Sequence, residues 1–354
     1  MMSEELKMNS VFQFILSNKG ITAPIEKLEI EGVMDEPGLH WSNPGVKQIS
    51  VYANGKRHQF VLKRLGDHSK REILVYRFLS AKNGFPIPRL YHDVYDDNTK
   101  EFWMVIERCV GRDFPNLADF YEQCGLLLAR IHASFWDRIN TLPEFFRTKT
   151  ERVRLGNAID RLSRYLESLS KQDIMNLDEE LGISIDDLHS VVHEVDREGL
   201  PVSLETARCL IHGSFHSPEI MWREVSGEYI PVGIDWESSR IGIPAEDLAF
   251  GIPTLLAKGE NDMFSNLVDT YLSELKAHGI NLDRDKISTS IRHEAHIKLM
   301  SSVIPFVLQT YLKVRDNESY TKWCQWLKQD IPKTIRFVQS EVESGHIYDE
   351  YKSR

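Results

Sequence analysis

The spacing of apolar positions changes along the chain. NSVFQFIL carries an apolar stripe at helical spacing, and IEKLEIEGV, KQISVYANG, HQFVLKRLG and EFWMVIERC are short runs rich in apolar and β-branched residues, cut by turn residues. These runs predict a small antiparallel sheet. Within the same region SKREILVYRFLSAKN spaces Ile73, Leu74, Tyr76, Phe78 and Leu79 as one side of a helix. That helix must end before FPIPRL, whose prolines cannot continue it.

From about residue 112 the pattern is mostly helical, beginning with FPNLADFYEQCGLLLARIHASFWDRI. Asn116 is placed to cap that helix, with Asp119 as its box-like partner. Further helices are expected in NAIDRLSRYLESLS, ISIDDLHSVVHEVDREG, SNLVDTYLSELKAHG, the long stretch 285–314 and YTKWCQWLKQDIPKTIRFVQSEVES. One segment, CLIHGSFHSPEIMWREVSGEYIPVGIDWESS, breaks the series with Ile and Val runs bounded by Gly and Pro, which predicts short strands and loops. The expected class is α+β and bilobal. A small antiparallel-sheet N-terminal lobe takes residues 1–110, and a larger helical C-terminal lobe takes residues 111–354.

Composition narrows the setting. The 354 residues include 43 Lys+Arg against 53 Asp+Glu, and the net charge of -10 disfavours a basic nucleic-acid coat while leaving room for a local cationic pocket. The widely separated Cys109, Cys124, Cys209 and Cys324 form no CxxC pair, so neither a structural zinc knot nor a thioredoxin-like site is expected. No signal-like or membrane-spanning apolar run occurs. A cytoplasmic protein with neither nucleic acid nor membrane as partner fits these features.

Several residues could carry chemistry. A nucleotide pocket needs a cation for phosphate oxygens, an apolar slot for a base, and oxygen ligands for a hard divalent ion. Lys63 lies in the strand-like HQFVLKRL and Glu72 near the start of the next helix, so the two can form an ion pair that aims Lys63 at phosphates. EFWMVIERC can place apolar residues against a base, with backbone donors and acceptors from Glu107 to Cys109. The turn-rich EPGLHWSNPG offers an anion-covering loop. Two turn-strand segments, IHGSFHSPEIMWR and VGIDWESS, bring His212, Ser214, His216, Glu219 and Asp235 within reach of one cleft, where Asp235 and Glu219 could bind magnesium. Taken one at a time, these residues fit ordinary surface, loop or core roles better. RHEAH, lacking the HExxH spacing, reads as helix packing.

HGSFHSPEI followed by GIDWE resembles the HGDxHxxN and IDxE or IDW pattern of the aminoglycoside phosphotransferase and choline kinase-like superfamily. Lys63, Glu72, WMVIER, LLLARIHA and GIPAEDLA extend the resemblance over most of the chain. It implies a protein-kinase-like fold and phosphorylation of a small-molecule hydroxyl, with ATP and Mg2+ as cofactors. Lys63 would contact ATP phosphates, Glu72 would position Lys63, Asp235 would bind magnesium, and His212 would support the catalytic loop. Asp247 would stabilise the larger lobe.

Two positions depart from the pattern. The family's base aspartate falls on Ser214, and its metal-binding asparagine falls on Glu219. A neutral serine is a poor base, whereas Glu219 keeps an oxygen ligand and adds charge. Ser214 or His216 could orient the acceptor. Phosphoryl transfer rests largely on alignment and charge neutralisation, so an altered kinase is the leading expectation. A catalytically impaired nucleotide- or small-molecule-binding protein acting on a protein partner stands beside it, as does transfer of some other group.

Overall fold

The computed structural model describes residues 4–31, 45–65, 70–96, 101–111, 117–147, 155–181, 184, 208–215, 220–249, 261–298 and 304–314. They fall into two compact units, residues 1–113 with 218–239 and residues 114–217 with 240–354.

The first unit contains α1 (Glu4–Asn18), β1 (Ile25–Glu31), β2 (Val46–Ala53), β3 (Lys56–Leu65), α2 (Lys70–Ser80), β4 (Leu90–Asp96) and β5 (Glu101–Glu107). Its sheet is antiparallel in the order β1-β2-β3-β5-β4. β2 and β3 meet at Asn54-Gly55, both at positive φ (54° and 65°), as a tight two-residue hairpin between right-twisted strands requires. Side chains alternate across a strand. Ile49, Val51 and Ala53 of β2 and Phe60 and Leu62 of β3 therefore pack with Phe12, Ile15 and Leu16 of α1. The other sheet face receives Gln48 from β2, and Gln59, Val61 and Lys63 from β3.

The strand β4 was not expected. Its sequence LYHDVYD follows two prolines, carries two acidic residues and exposes Val94 and Tyr95, so an edge strand here lacks a clean apolar alternation. The helix α2 is present where expected, but its buried face is rotated from the expected one. Glu72, Ile73, Val75, Tyr76 and Leu79 are buried, while Leu74 and Phe78 are only partly covered. A carboxylate thus sits on the inward face of an apolar helix.

After residue 110 the chain later returns to this unit. β7 (Ile220–Val225) and β8 (Glu228–Gly233) form a hairpin turning at Ser226-Gly227. Trp222 and Val110 exchange backbone hydrogen bonds of 2.9 Å in both directions, and Gly233 donates to Pro86 O at 3.0 Å. For this reason residues 218–239 group with the sheet rather than with the helical residues around them in sequence.

The second unit is largely helical. It contains α3 (Leu117–Ser134), α4 (Leu155–Glu167), α5 (Lys171–Leu181), the short pair β6 (Cys209–Ile211) and β9 (Arg240–Gly242), α6 (Pro244–Leu248), α7 (Asn261–Ala277), α8 (Arg284–Lys298) and α9 (Ile304–Val314). α3 and α7 approach closely at Gly125, where an added Cβ would lie 3.0 Å from Leu267 O. Apart from Ser184, the expected helices at 183–199 and 320–344, and the cap Asn116, lie outside the described residues. The α+β class holds, with one sheet-bearing and one mainly helical unit. No helix among the described residues is long and apolar enough to cross a membrane.

Candidate active site

Within the first unit, Lys63 is the centre of a three-residue charge cluster. Its Nζ donates to Glu72 Oε1 and to Asp235 Oδ1, each at 2.7 Å. The side chains of Lys63 and Glu72 are 13% and 1% exposed, and that of Asp235 is 45% exposed. Burial resists charge on the lysine, but the two carboxylates outweigh it and raise its pKa, so the ammonium stays protonated. Glu72 faces a single ammonium. Burial prevails there and pushes its carboxyl up to about 7, and its Oε2 is buried without a hydrogen bond. The open member of the cluster is Asp235.

Asp235 is held in an unusual backbone state. It has φ 64° and ψ 57°, left-handed values that Asp tolerates better than most residues, and a single 3-10 turn (Trp236–Ser238) follows it. Buried Trp236 fixes this geometry by donating from its indole to Gly233 O at 2.7 Å and packing against Phe85. Arg71 secures the other end of the turn through the carbonyls of Glu237, at 2.7 Å, and Ser239. Arg71 thus joins the turn to the helix carrying Glu72. Sequence reasoning missed that role, for which adjacency to Glu72 was the available signal.

Glu107 and Cys109 leave the sheet nearby in sequence, but their side chains serve other ends. Glu107 is engaged by Arg223, whose Nη2 donates to Oε2 at 2.7 Å and whose second Nη2 bond reaches Ile87 O at 2.6 Å. Burial, with Glu107 nearby, raises the Cys109 thiol to about 12, which keeps it neutral. Any use of Glu107 or Cys109 by a ligand would therefore fall to their backbone groups.

In the second unit, β6 leads into His212, Gly213 and Ser214. Asp247 of α6 accepts the His212 N–H at 2.6 Å and the Gly213 N–H at 2.8 Å, one on each oxygen. His132 Nε2 lies 3.2 Å from the same carboxylate; since that acceptor has no proton to give, Nε2 is the donor, and Nδ1 meets Tyr271 Oη at 2.9 Å. Asp247, His132 and Tyr271 are all buried, as is His212. Burial alone would raise the Asp247 pKa, but the His132 hydrogen bond and charge, with His212 and Lys298 nearby, hold it at about 2. The loop that presents half-buried Ser214 is thereby tied at two consecutive amides. His132 and Tyr271 were not singled out from sequence, because their meeting depends on the packing of α3 against α7.

His216, Glu219 and residues 32–44, which include most of the expected anion-covering loop, lie outside the described residues. Among the described residues no group of three or more His, Cys, Asp or Glu could hold a metal ion. The described site residues are thus Lys63, Glu72 and Asp235 together in one unit, and the Asp247-anchored loop with Ser214 in the other.

A buried strand lysine paired to a helix carboxylate and to a carboxylate after a strand, on an α+β chain of this topology, belongs to a kinase-like class. The model of the phosphotransferase enzyme family, APH, matches residues 47–285, and the chain belongs to that family. Solved structures share the fold at low identity. A Ralstonia eutropha protein described as an aminoglycoside phosphotransferase is similar at a TM-score of 0.55 and 11% identity, covering 95% of this chain and 98% of that one. The GDP complex of an aminoglycoside 2'-phosphotransferase is similar at 0.52 and 17%, covering 92% and 97%. Plasmodium vivax ethanolamine kinase is similar at 0.50 and 15%, covering 100% and 91%. No curated protein sequence matches the chain.

Proposed function

We propose that the protein is an ATP-dependent phosphotransferase that phosphorylates a hydroxyl of a small molecule. The observation that carries this reading is Lys63, held at 2.7 Å by both Glu72 and Asp235, in a chain of the phosphotransferase family. A protonated ammonium fixed between carboxylates is oriented before the nucleotide arrives, so little side-chain entropy remains to be lost on binding phosphate. Phosphate oxygens can replace Asp235 as its partner, leaving the half-exposed Asp235 carboxylate for a divalent cation.

The donor set fits magnesium in a limited sense. Asp235 supplies a hard oxygen ligand, while phosphate oxygens and water would complete the shell, the usual arrangement for this ion. Bound there, magnesium would neutralise charge on the phosphates. Glu72 keeps Lys63 in place, and Trp236 and Arg71 fix the turn that aims Asp235. The acceptor oxygen forms a bond to the terminal phosphorus as the bond to the bridging oxygen breaks, and the nucleoside diphosphate leaves. The proton of the acceptor hydroxyl passes to solvent.

The test uses the full chain with Mg-ATP and a panel of hydroxylated metabolites, following ADP release and a phosphate-sized mass gain on the acceptor. Wild type should give both in equal amounts, and Lys63→Met and Asp235→Ala should each lower turnover at least a hundredfold. Nucleotide turnover with no phosphorylated acceptor across the panel would sink the reading.

A further inference from the structure

The helix α2 meets the Asp235 turn through a residue that the proposed mechanism does not use. Tyr76 follows Glu72 by four positions, so the two side chains lie on one face of the helix, and Tyr76 is 1% exposed. Its inward neighbours Ile73, Val75 and Leu79 are apolar, and a phenyl ring would fill the same space as the phenol. What the tyrosine adds is a hydroxyl, which costs free energy in a core unless it is hydrogen-bonded. That hydroxyl lies among Glu72, Asp235 and Cys109 and takes the backbone N–H of Asp235. Burial, reinforced by the Glu72 and Asp235 carboxylates, raises the phenol's pKa and keeps it neutral.

This contact acts where the other contacts of the turn do not. Trp236 holds the carbonyl of Gly233, and Arg71 holds those of Glu237 and Ser239. Neither reaches the peptide N–H of Asp235 itself, whose φ of 64° helps set the direction of its side chain. Lys63 restrains the carboxylate, at 2.7 Å. In the proposed reaction, however, that partner is exchanged for a cation, and the side chain then depends on its backbone for direction. A carboxylate that ligates a metal is itself oriented by groups behind it, and loss of such a group costs about 10–100-fold in metal affinity.

We infer that Tyr76 is a positioning residue, whose hydroxyl holds the Asp235 amide so that the carboxylate, once it leaves Lys63, faces the divalent cation. The inference rests on the phosphotransferase reading for the cation at Asp235. Two measurements on the full chain test it. In the protein without metal or nucleotide, hydrogen exchange followed by NMR should find the Asp235 amide protected, and Tyr76→Phe should speed its exchange at least tenfold. The Mg2+ concentration that half-maximally tightens binding of a non-hydrolysable ATP analogue should rise at least tenfold in Tyr76→Phe. Kd of the analogue in EDTA should change less than twofold, because Lys63 is untouched. Equal weakening with and without Mg2+ would mean that the phenol serves packing alone. That result, an unmoved Mg2+ midpoint, or a fast-exchanging Asp235 amide in wild type overturns the inference and leaves the phosphotransferase reading intact. The wild-type exchange decides even if the phenylalanine variant folds poorly. A wild type whose analogue binding gains nothing from Mg2+ overturns both.

Discussion

Ser214 poses the main chemical question at the scale of single residues. A positioned general base is worth about 10²–10⁴ in rate, and a hydroxyl near its ordinary pKa cannot hold the acceptor proton as a carboxylate would. Alignment and charge neutralisation then carry the transfer, which places the weight on Lys63 and Asp235. Ser214→Ala should lower kcat less than tenfold in steady-state assays of nucleoside diphosphate release at saturating nucleotide. A loss of a hundredfold or more would instead give Ser214 the share of a base. The Lys63 cluster has a different sensitivity. Its lysine is charged because two carboxylates surround it, and Glu72 is tied to it from a position where burial disfavours charge.

At the scale of elements, Asp247 converts a five-residue helix, α6, into an anchor for the Ser214 loop. Asp247→Ala would leave two backbone N–H groups and His132 without their acceptor, and removal of one partner from a buried charged network costs about 3–5 kcal/mol. Chemical denaturation near neutral pH should show that loss. The pH dependence follows from the same group. Its folded pKa lies at about 2, below the ordinary 3.8, so its stabilising effect is complete above pH 3.8 and disappears as pH falls toward 2. Asp247→Asn should flatten the acid limb in that window relative to wild type.

Elements also show what could be read in advance. β2, β3, β5 and α2 were legible because apolar alternation and helical spacing are local signals, and Lys63 and Glu72 could be paired from the elements that hold them. β4 was not legible, since an edge strand need not bury alternate residues. The buried face of α2 takes Glu72 and Val75 where Leu74 and Phe78 were expected, and a partner ammonium makes burial of that carboxylate possible. Arg108 with Gln48 and Gln59, and Asp247 with His132, are products of strand register and helix packing across distant sequence. No spacing along the chain encodes them.

At the scale of the whole molecule, the net charge of -10 makes the location of cations more informative than their number. Lys63 and Arg108, the latter held by Gln48 and Gln59, are cations on one sheet face, and because Glu72 and Asp235 flank Lys63, a bound magnesium would be needed to tip that site toward a polyanion. Both lie in the first unit, as does Asp235, so ligand stabilisation should originate there. Saturation at a hundred times Kd stabilises a folded protein by about 2.7 kcal/mol. Mg-nucleotide should therefore raise the thermal midpoint by several degrees, and Lys63→Met should abolish that rise. Hydrogen exchange sharpens the expectation, because protection spreads first through elements that share the bound groups. Amides of 46–65, 70–80 and 220–238 should slow most on addition of nucleotide, and those of α3 and α7 least. Uniform slowing over both units would show that binding is not seated on the sheet-bearing unit, and slowing confined to α3 and α7 would place the nucleotide away from Lys63 altogether.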